Sequence, residues 1–307
     1  MKIGATFSDN RPSIATIGFF DGVHRGHQYL IEQVRAAAAS RGWASAVVTF
    51  PVHPCRVMHP DRCPVLLNTC EEKLAMLEKA GVDRCVLLEF TPQLAALSAY
   101  EFMKLLKEQY QIRALVIGYD HRFGHNRSEG FDDYVHYGAR LGMEVLPAKA
   151  YYGLDETIAV SSSRIRKLLL SGQVSEAQAC LGYEYFLQGI VVGGYRVGRT
   201  LGFPTANLQV TCPDKLIPAD GVYAVRVHLN DTCYGGMLSI GLRPTLDNGV
   251  NRSIEVHIFD FHQDIYQHSL RLSFVCRTRD EKKFNSLEEL TSQLQRDEAE
   301  IRQLLGC

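Results

Sequence analysis

The sequence predicts two folds in series: an α/β domain on a mostly parallel, doubly wound sheet, then an antiparallel β-barrel that ends in a helix. Three observations carry this. In the first half of the 307 residues, apolar runs take turns with capped amphipathic runs. From residue 185 on, short runs rich in Val, Ile and Phe follow one another across turn residues, with no helix between them. Residues 286–305 then regain helical spacing. The length suits two domains of ordinary size. The change of pattern puts the boundary near Gly182, with domains at 1–182 and 183–307.

Taken in order, "SIATIGFF" (13–20) is a buried strand, and "HQYLIEQVRAAAAS" (27–40) a helix with Leu30, Ile31, Val34 and Ala38 near one face. "WASAVVTF" (43–50) is the next strand. "NTCEEKLAMLEKAG" (68–81) starts with a capping box, Thr69 to Glu72, and stops at Gly81. A strand at 84–90 leads to a second boxed helix, Ser98 to Glu101 at its start. Strands at 113–118 and 143–148 flank a helix at 130–142. Two short helices broken at Gly172 follow. The expected barrel strands are 185–194, 221–230, 232–241, 252–261 and 270–279, with turns at "LND" (229–231), "GLRP" (241–244) and "LDNG" (246–249).

The net charge is −1, which offers no field to attract nucleic acid or an anionic membrane. Nine cysteines include no CxxC pair, so they read as reduced thiols of a cytoplasmic protein. The N-terminus lacks the apolar stretch of a signal peptide, and no apolar run approaches a membrane span. A monomer or weak homo-oligomer is expected.

Chemistry concentrates in a few stretches. "GFFDGVHRGH" (18–27) follows the first buried strand and opens a helix. His24 and His27 lie one turn apart on one face. Gly18, Gly22 and Gly26 let a phosphate chain approach the backbone, and the helix start presents free N–H groups. The imidazoles can donate to phosphate oxygens whose charge grows during transfer. No GxxxxGK[ST] loop is present. "GYDHRFGHNRSEG" (118–130) follows the fourth strand; Tyr119 and Phe123 suit stacking on a flat ring, and Asp120 a ribose or flavin edge. "SSSRIRKLLLSG" (161–172) puts Ser161, Ser162 and Ser163 at a helix start beside Arg164 and Arg166, a cradle for β- and γ-phosphates. "GRTLGFPTANL" (198–208) offers the hydroxyl of Thr205 and the amide oxygen of Asn207 two residues apart on one side of an extended segment. Two hard oxygens suit Mg²⁺ carrying a nucleotide phosphate. In "SIEVHIFDF" (253–261), Ile254, Val256 and Ile258 alternate with Glu255 and His257.

The first stretch resembles the HxGH motif of Rossmann-like nucleotidylyltransferases. Its longer form is similar to the bifunctional riboflavin kinase/FMN adenylyltransferase family of bacteria, and the resemblance runs from Ile14 to about Glu300. It implies that His24 and His27 act on the α-phosphate of ATP while FMN attacks it, giving FAD and pyrophosphate, with Arg166 of the β- and γ-phosphate cradle as a further catalytic residue. It adds Phe19, Asp21 and His53 to the nucleotide or flavin contacts. His53 lies in "TFPVHP" (49–54), where Pro51 and Val52 depart from the family's TFxPHP. It also adds Arg122, Phe123 and Arg127. In the second half, Gly198, Gly202, Phe203 and Pro204 precede the Thr205/Asn207 pair of a riboflavin kinase motif. Glu255 takes the place of the general base for phosphorylating riboflavin with ATP, and Arg279 and Phe284 those of flavin contacts. Gln267 stands where the family often has glycine, which leaves the shape of that turn open. Other phosphate acceptors, or a flavin carrier with idle sites, remain alternatives.

Overall fold

The central strands of the first half are buried from end to end because helices cover both faces of their sheet. The computed structural model describes residues 1–4, 11–118, 121–152, 160–194, 198, 201–244 and 250–307; side chains are described for all of these but 242–244 and 250–251. Contacts divide the chain into two units, Met1–Ser162 and Ser163–Cys307.

In the first unit, β1 (Lys2–Ile3), β2 (Ser13–Ile17), β3 (Ala44–Thr49), β4 (Arg84–Leu87), β5 (Ile112–Ile117) and β6 (Glu144–Pro147) form one sheet in the order β1-β4-β3-β2-β5-β6. Every pairing is parallel. Side chains alternate across it. Ile14 meets Val34 and Ala38 of α1 (Arg25–Ala39), whereas Ala15 and Ile17 join the opposite core. That core holds Phe102, Met103 and Leu106 of α5 (Ala99–Tyr110) and Tyr134 of α6 (Phe131–Leu141). Among the described residues this unit also has the α-helices α2 (Pro54–Met58), α3 (Cys70–Lys79) and the single turn α4 (Pro92–Ala95). Both expected capping boxes are formed, at Thr69/Glu72 and Ser98/Glu101. Strand order reverses between β2 and β5, and the loops leaving those strands diverge there, which makes a crevice suited to ligands.

α7 (Ser162–Leu170) starts on the last residue of the first unit and leads into α8 (Val174–Leu181). Gly172, at φ 79°, breaks the two apart as expected, and Gly182, at φ 84°, ends the second. Six strands then close into a barrel, β10-β11-β8-β7-β12-β9. They are β7 (Phe186–Val192), β8 (Ala206–Val210), β9 (Gly221–Leu229), β10 (Thr232–Pro244), β11 (Val250–Ile258) and β12 (Ser269–Arg279). α9 (Leu287–Leu305) buries Ile301 among Val222, Ala224, Met237 and Phe259.

Two expectations change. β8 was not expected as a strand, and it completes the barrel by pairing with β7 and β11. "GLRP" (241–244), expected as a turn, is the end of β10, with Gly241 opposite Ser253 and Pro244 opposite Val250. The ladder continues there because Ser253–Val250 supplies partners, which local turn chemistry does not reveal. The "LDNG" turn (246–249) lies outside the described residues, as do Tyr119 and Asp120.

Candidate active sites

The loop after β2 is strained and buried. Phe20 (φ 58°), Gly22 (φ 82°) and Val23 (φ 33°) all take left-handed backbone, and Val23 is β-branched. Strain of this kind persists only where surroundings over-determine it, and it gathers at functional sites. Here the Gln28 side chain donates to Val23 O (2.8 Å), and Thr49 Oγ1 donates to Phe19 O (3.1 Å). The loop delivers His24 as N-cap of α1, where its Nδ1 accepts from His27 N (3.3 Å). An accepting Nδ1 carries no proton, so neutral His24 holds its N–H on Nε2 as a donor. The His24 and His27 rings stack with centroids 3.6 Å apart. Gly26 permits this, since a Cβ there would lie 3.2 Å from two atoms of the His24 ring.

His24 is 5% exposed. Burial lowers it from 6.5 to about 4, against a smaller opposing backbone hydrogen bond. Burial, then the adjacent His24, hold His27 well below its ordinary value. Both are therefore neutral at pH 7 and can donate. Among the described residues, His27 Nδ1 and both polar atoms of the Asn68 amide are buried without a hydrogen-bond partner. Such orphans suit a site that a ligand or water completes.

The other sequence-predicted residues take varied places. Gly18 N donates to Val48 O (3.0 Å), holding the strand end beside β3. The Asp21 carboxylate accepts from Leu67 N (2.9 Å) and Asn68 N (3.2 Å), so this candidate contact also anchors the segment before α3. Ser162 Oγ, at the end of the first unit, donates to Asp21 O (2.8 Å). Ser161 is exposed, and Ser163, Arg164 and Arg166 belong to the second unit. His53 caps α2 by accepting at Nδ1 from Cys55 N (3.1 Å), and its ring meets Phe19 edge-on at 4.5 Å. Phe123 is buried and stacked on Tyr134 (4.1 Å), so it contributes to the core. Arg122 donates to His121 O, and Arg127 is exposed at φ 50°. Lys73 was missed. A lysine on an amphipathic helix reads as solvated, yet this one is 2% exposed.

In the barrel, Thr205 Oγ1 donates to Glu255 Oε2 (3.1 Å), and Asn207 stands opposite Glu255 in the β8/β11 register. Gly194 leaves room for the amide: a Cβ there would fall 2.2 Å from Asn207 Nδ2. Leu201 N and Phe203 N both donate to Gly198 O, and Gly202 turns at φ 83°, which shapes the approach to Pro204. His257 Nδ1 lies 2.8 Å from Pro204 O, and the Phe203 ring packs edge-on against His257. Beside Thr205 opens a cleft walled by Val191, Val256, Ile258, Phe261, Ile265 and Tyr266. Its apolar side chains suit a flat ring, and His262, Gln263 and Asp264 add polar groups to the same lining. Arg279 is engaged elsewhere, forming a forked ion pair with Asp297, which is 2% exposed. Phe284 lies 6.0 Å from the Arg279 guanidinium.

A family model described as FAD synthetase matches residues 6–164, and one described as riboflavin kinase matches residues 181–305. The chain belongs to the bifunctional riboflavin kinase/FMN adenylyltransferase family. It carries the two activities in that family's two domains, the FAD synthetase domain first. The family's Listeria monocytogenes member is 37% identical over 290 residues, 94% of this chain and 91% of its own. The Bacillus subtilis riboflavin kinase/FMN adenylyltransferase is 34% identical over 296 residues, again covering 94% and 91%. A crystal structure described as a macrolide-efflux protein from Streptococcus pneumoniae matches with a TM-score of 0.88 and 35% identity, over 96% of this chain and 95% of that one. Among the described residues no helix is long and apolar enough to cross a membrane.

Proposed function

We propose that the two activities of this flavin-cofactor enzyme run in two separate sites, with domains at 1–182 and 183–307. In the first, the FMN phosphate attacks the α-phosphorus of ATP and pyrophosphate leaves. His24 donates through Nε2–H, and His27 beside it completes a pair of neutral donors at the charge that builds on the phosphate. Ser161, Ser162, Ser163, Arg164 and Arg166 hold the leaving phosphates. In the second site, Glu255 takes the proton of the riboflavin 5′-hydroxyl as that oxygen attacks the γ-phosphorus, and ADP leaves.

The hydroxyl of Thr205 and the amide oxygen of Asn207 are hard donors that fit Mg²⁺. When bound there, Mg²⁺ would neutralise phosphate charge. Thr205 and Asn207 would hold it, Glu255 keeps the acceptor hydroxyl oriented, and Val191, Val256 and Tyr266 exclude water around the nucleotide ring. All nine cysteines are reduced thiols, which supports a cytoplasmic enzyme. Flavin contacts by Phe284 and the loop containing Asp120, and a monomer or weak homo-oligomer, complete the reading.

The observation that carries the reading is the stacked, buried His24/His27 pair at a helix N-terminus in one unit, with a bonded Thr205–Glu255 pair in the other. His27→Ala should stop FAD formation from FMN and ATP and spare FMN formation. Glu255→Ala should stop FMN formation and spare FAD formation from supplied FMN. Loss of both activities in either variant, with the fold intact by circular dichroism, would refute separate sites.

A further inference from the structure

Two loops carry the histidines of the adenylylation site, and they leave neighbouring parallel strands. The β2 loop runs through Phe19 to His24 and His27; the β3 loop runs through Phe50 to His53. Between them sits the ammonium of Lys73, reaching across from α3. Its Nζ donates to Phe50 O (2.6 Å) and lies 3.9 Å from the centroid of the Phe19 ring. The edge of Phe19 in turn meets His53.

A buried ammonium is costly unless it is bonded. Here one backbone carbonyl and one aromatic face receive it, each from a different loop. The β2 loop is also the strained one, so a contact that fixes Phe19 also fixes the left-handed turn that follows. We propose that Lys73 is a positioning residue for FMN adenylylation: its charged ammonium clamps the β2 and β3 loops together and so holds the histidines in register with the α-phosphate. The proposal rests on the assignment of His24 and His27 to that phosphate.

The clamp depends on the proton. Burial brings Lys73 down from 10.5 to about 8. The groups facing it are Asp21 from the β2 loop, Cys85 from β4 and Cys70 on its own helix. Burial raises both thiols, Cys85 to about 11, so Asp21 is the anion that supports the charge at neutral pH. Above about pH 8 the ammonium loses its proton, the attraction to the Phe19 ring goes, and the loops are free to separate.

The test compares wild type, Lys73→Arg and Lys73→Met from pH 6.5 to 9.5. It follows FAD formation from FMN and ATP, with riboflavin phosphorylation and thermal unfolding measured on the same samples. Misplacing reacting groups by about 1 Å costs about 100-fold. A loosened clamp in Lys73→Met should therefore lower kcat for FAD formation at least about tenfold, with KM values and kinase activity little changed. Wild-type adenylylation should fall through about pH 8 while phosphorylation does not. Lys73→Arg should restore most of the kcat and lose that alkaline limb, because a guanidinium stays charged. Lys73→Met with wild-type kcat, or equal impairment in Lys73→Met and Lys73→Arg, would overturn the proposal. If Lys73→Met does not fold, the absence of an alkaline limb in wild type would overturn it instead. His27→Ala is run alongside: full activity there sinks the histidine assignment, whereas an inactive His27→Ala beside a fully active Lys73→Met sinks only the clamp.

Discussion

Acid should unfold the first unit of this enzyme through His24. In the unfolded chain this histidine titrates at its ordinary 6.5; in the folded one, burial holds it at about 4. Its folded value is the lower one, so the unfolded state takes up the proton first. Stability is therefore complete above pH 6.5, falls as the pH drops from 6.5 to 4, and levels off below. Each pH unit between the two values is worth about 1.4 kcal/mol, so His24 alone withdraws about 3 kcal/mol by pH 4. His27 is displaced in the same direction and adds to the loss. Urea titration read by fluorescence measures this directly, because the single tryptophan is Trp43, in the first unit. His24→Asn is the control. Asparagine also caps helices but does not titrate. Wild type should lose stability more steeply than His24→Asn between pH 6.5 and 4, so that its stability minus the variant's is about 3 kcal/mol lower at pH 4 than at pH 7. Parallel curves would refute the reasoning. ATP should blunt the acid loss, since phosphate charge favours the imidazolium.

Two further outcomes concern the barrel. Gly194→Ala should push the Asn207 amide aside, since the new Cβ would fall 2.2 Å from Nδ2. Riboflavin phosphorylation should drop while FAD formation from supplied FMN continues; an unchanged kcat for the kinase would remove Asn207 from its site. Gln267 takes left-handed backbone, at φ 65°, while its N–H donates to Val191 O. Gln267→Gly should keep that bond and relieve the backbone, raising barrel stability by about 0.5–1 kcal/mol in thermal unfolding with kinase activity as the reporter. A lowered midpoint would contradict it.

The same residue shows what a sequence makes legible. Its departure from the glycine often found there marked a turn of unknown shape, and the left-handed φ shows why glycine suits that place. Helix starts were readable because their signals are local: Thr69/Glu72 and Ser98/Glu101 lie three residues apart and bond each other. β8 was not readable. Pro204 just before it and Asn207 within it weaken its strand character, and its partners on β7 and β11 are remote in sequence. Lys73 was hidden for a related reason. Its charge reads as a surface residue although it lies one turn before buried Leu77 on α3, and the loops arriving from β2 and β3 supply the partners that let an ammonium sit there. Among the site residues, the histidine pair announced itself by spacing, while the capping work of Asp21 on residues 67–68 and the pairing of Arg279 with Asp297 depend on tertiary contacts.

The two sheets also differ in how they meet other copies of the chain during synthesis. A closed barrel offers no unpaired ladder, so the kinase half cannot recruit a stray strand once it is shut. The first unit has open margins, and both are made poor templates. β1 is two residues long and brings Lys2 to one margin, and β6 is four residues long and ends in Pro147 at the other. β1 pairs with β4 at Lys2–Arg84, so that margin forms only after residues 84–87 have been made. Until then the exposed border is β3, and a nascent chain stalled short of residue 84 would be the form most prone to aggregate.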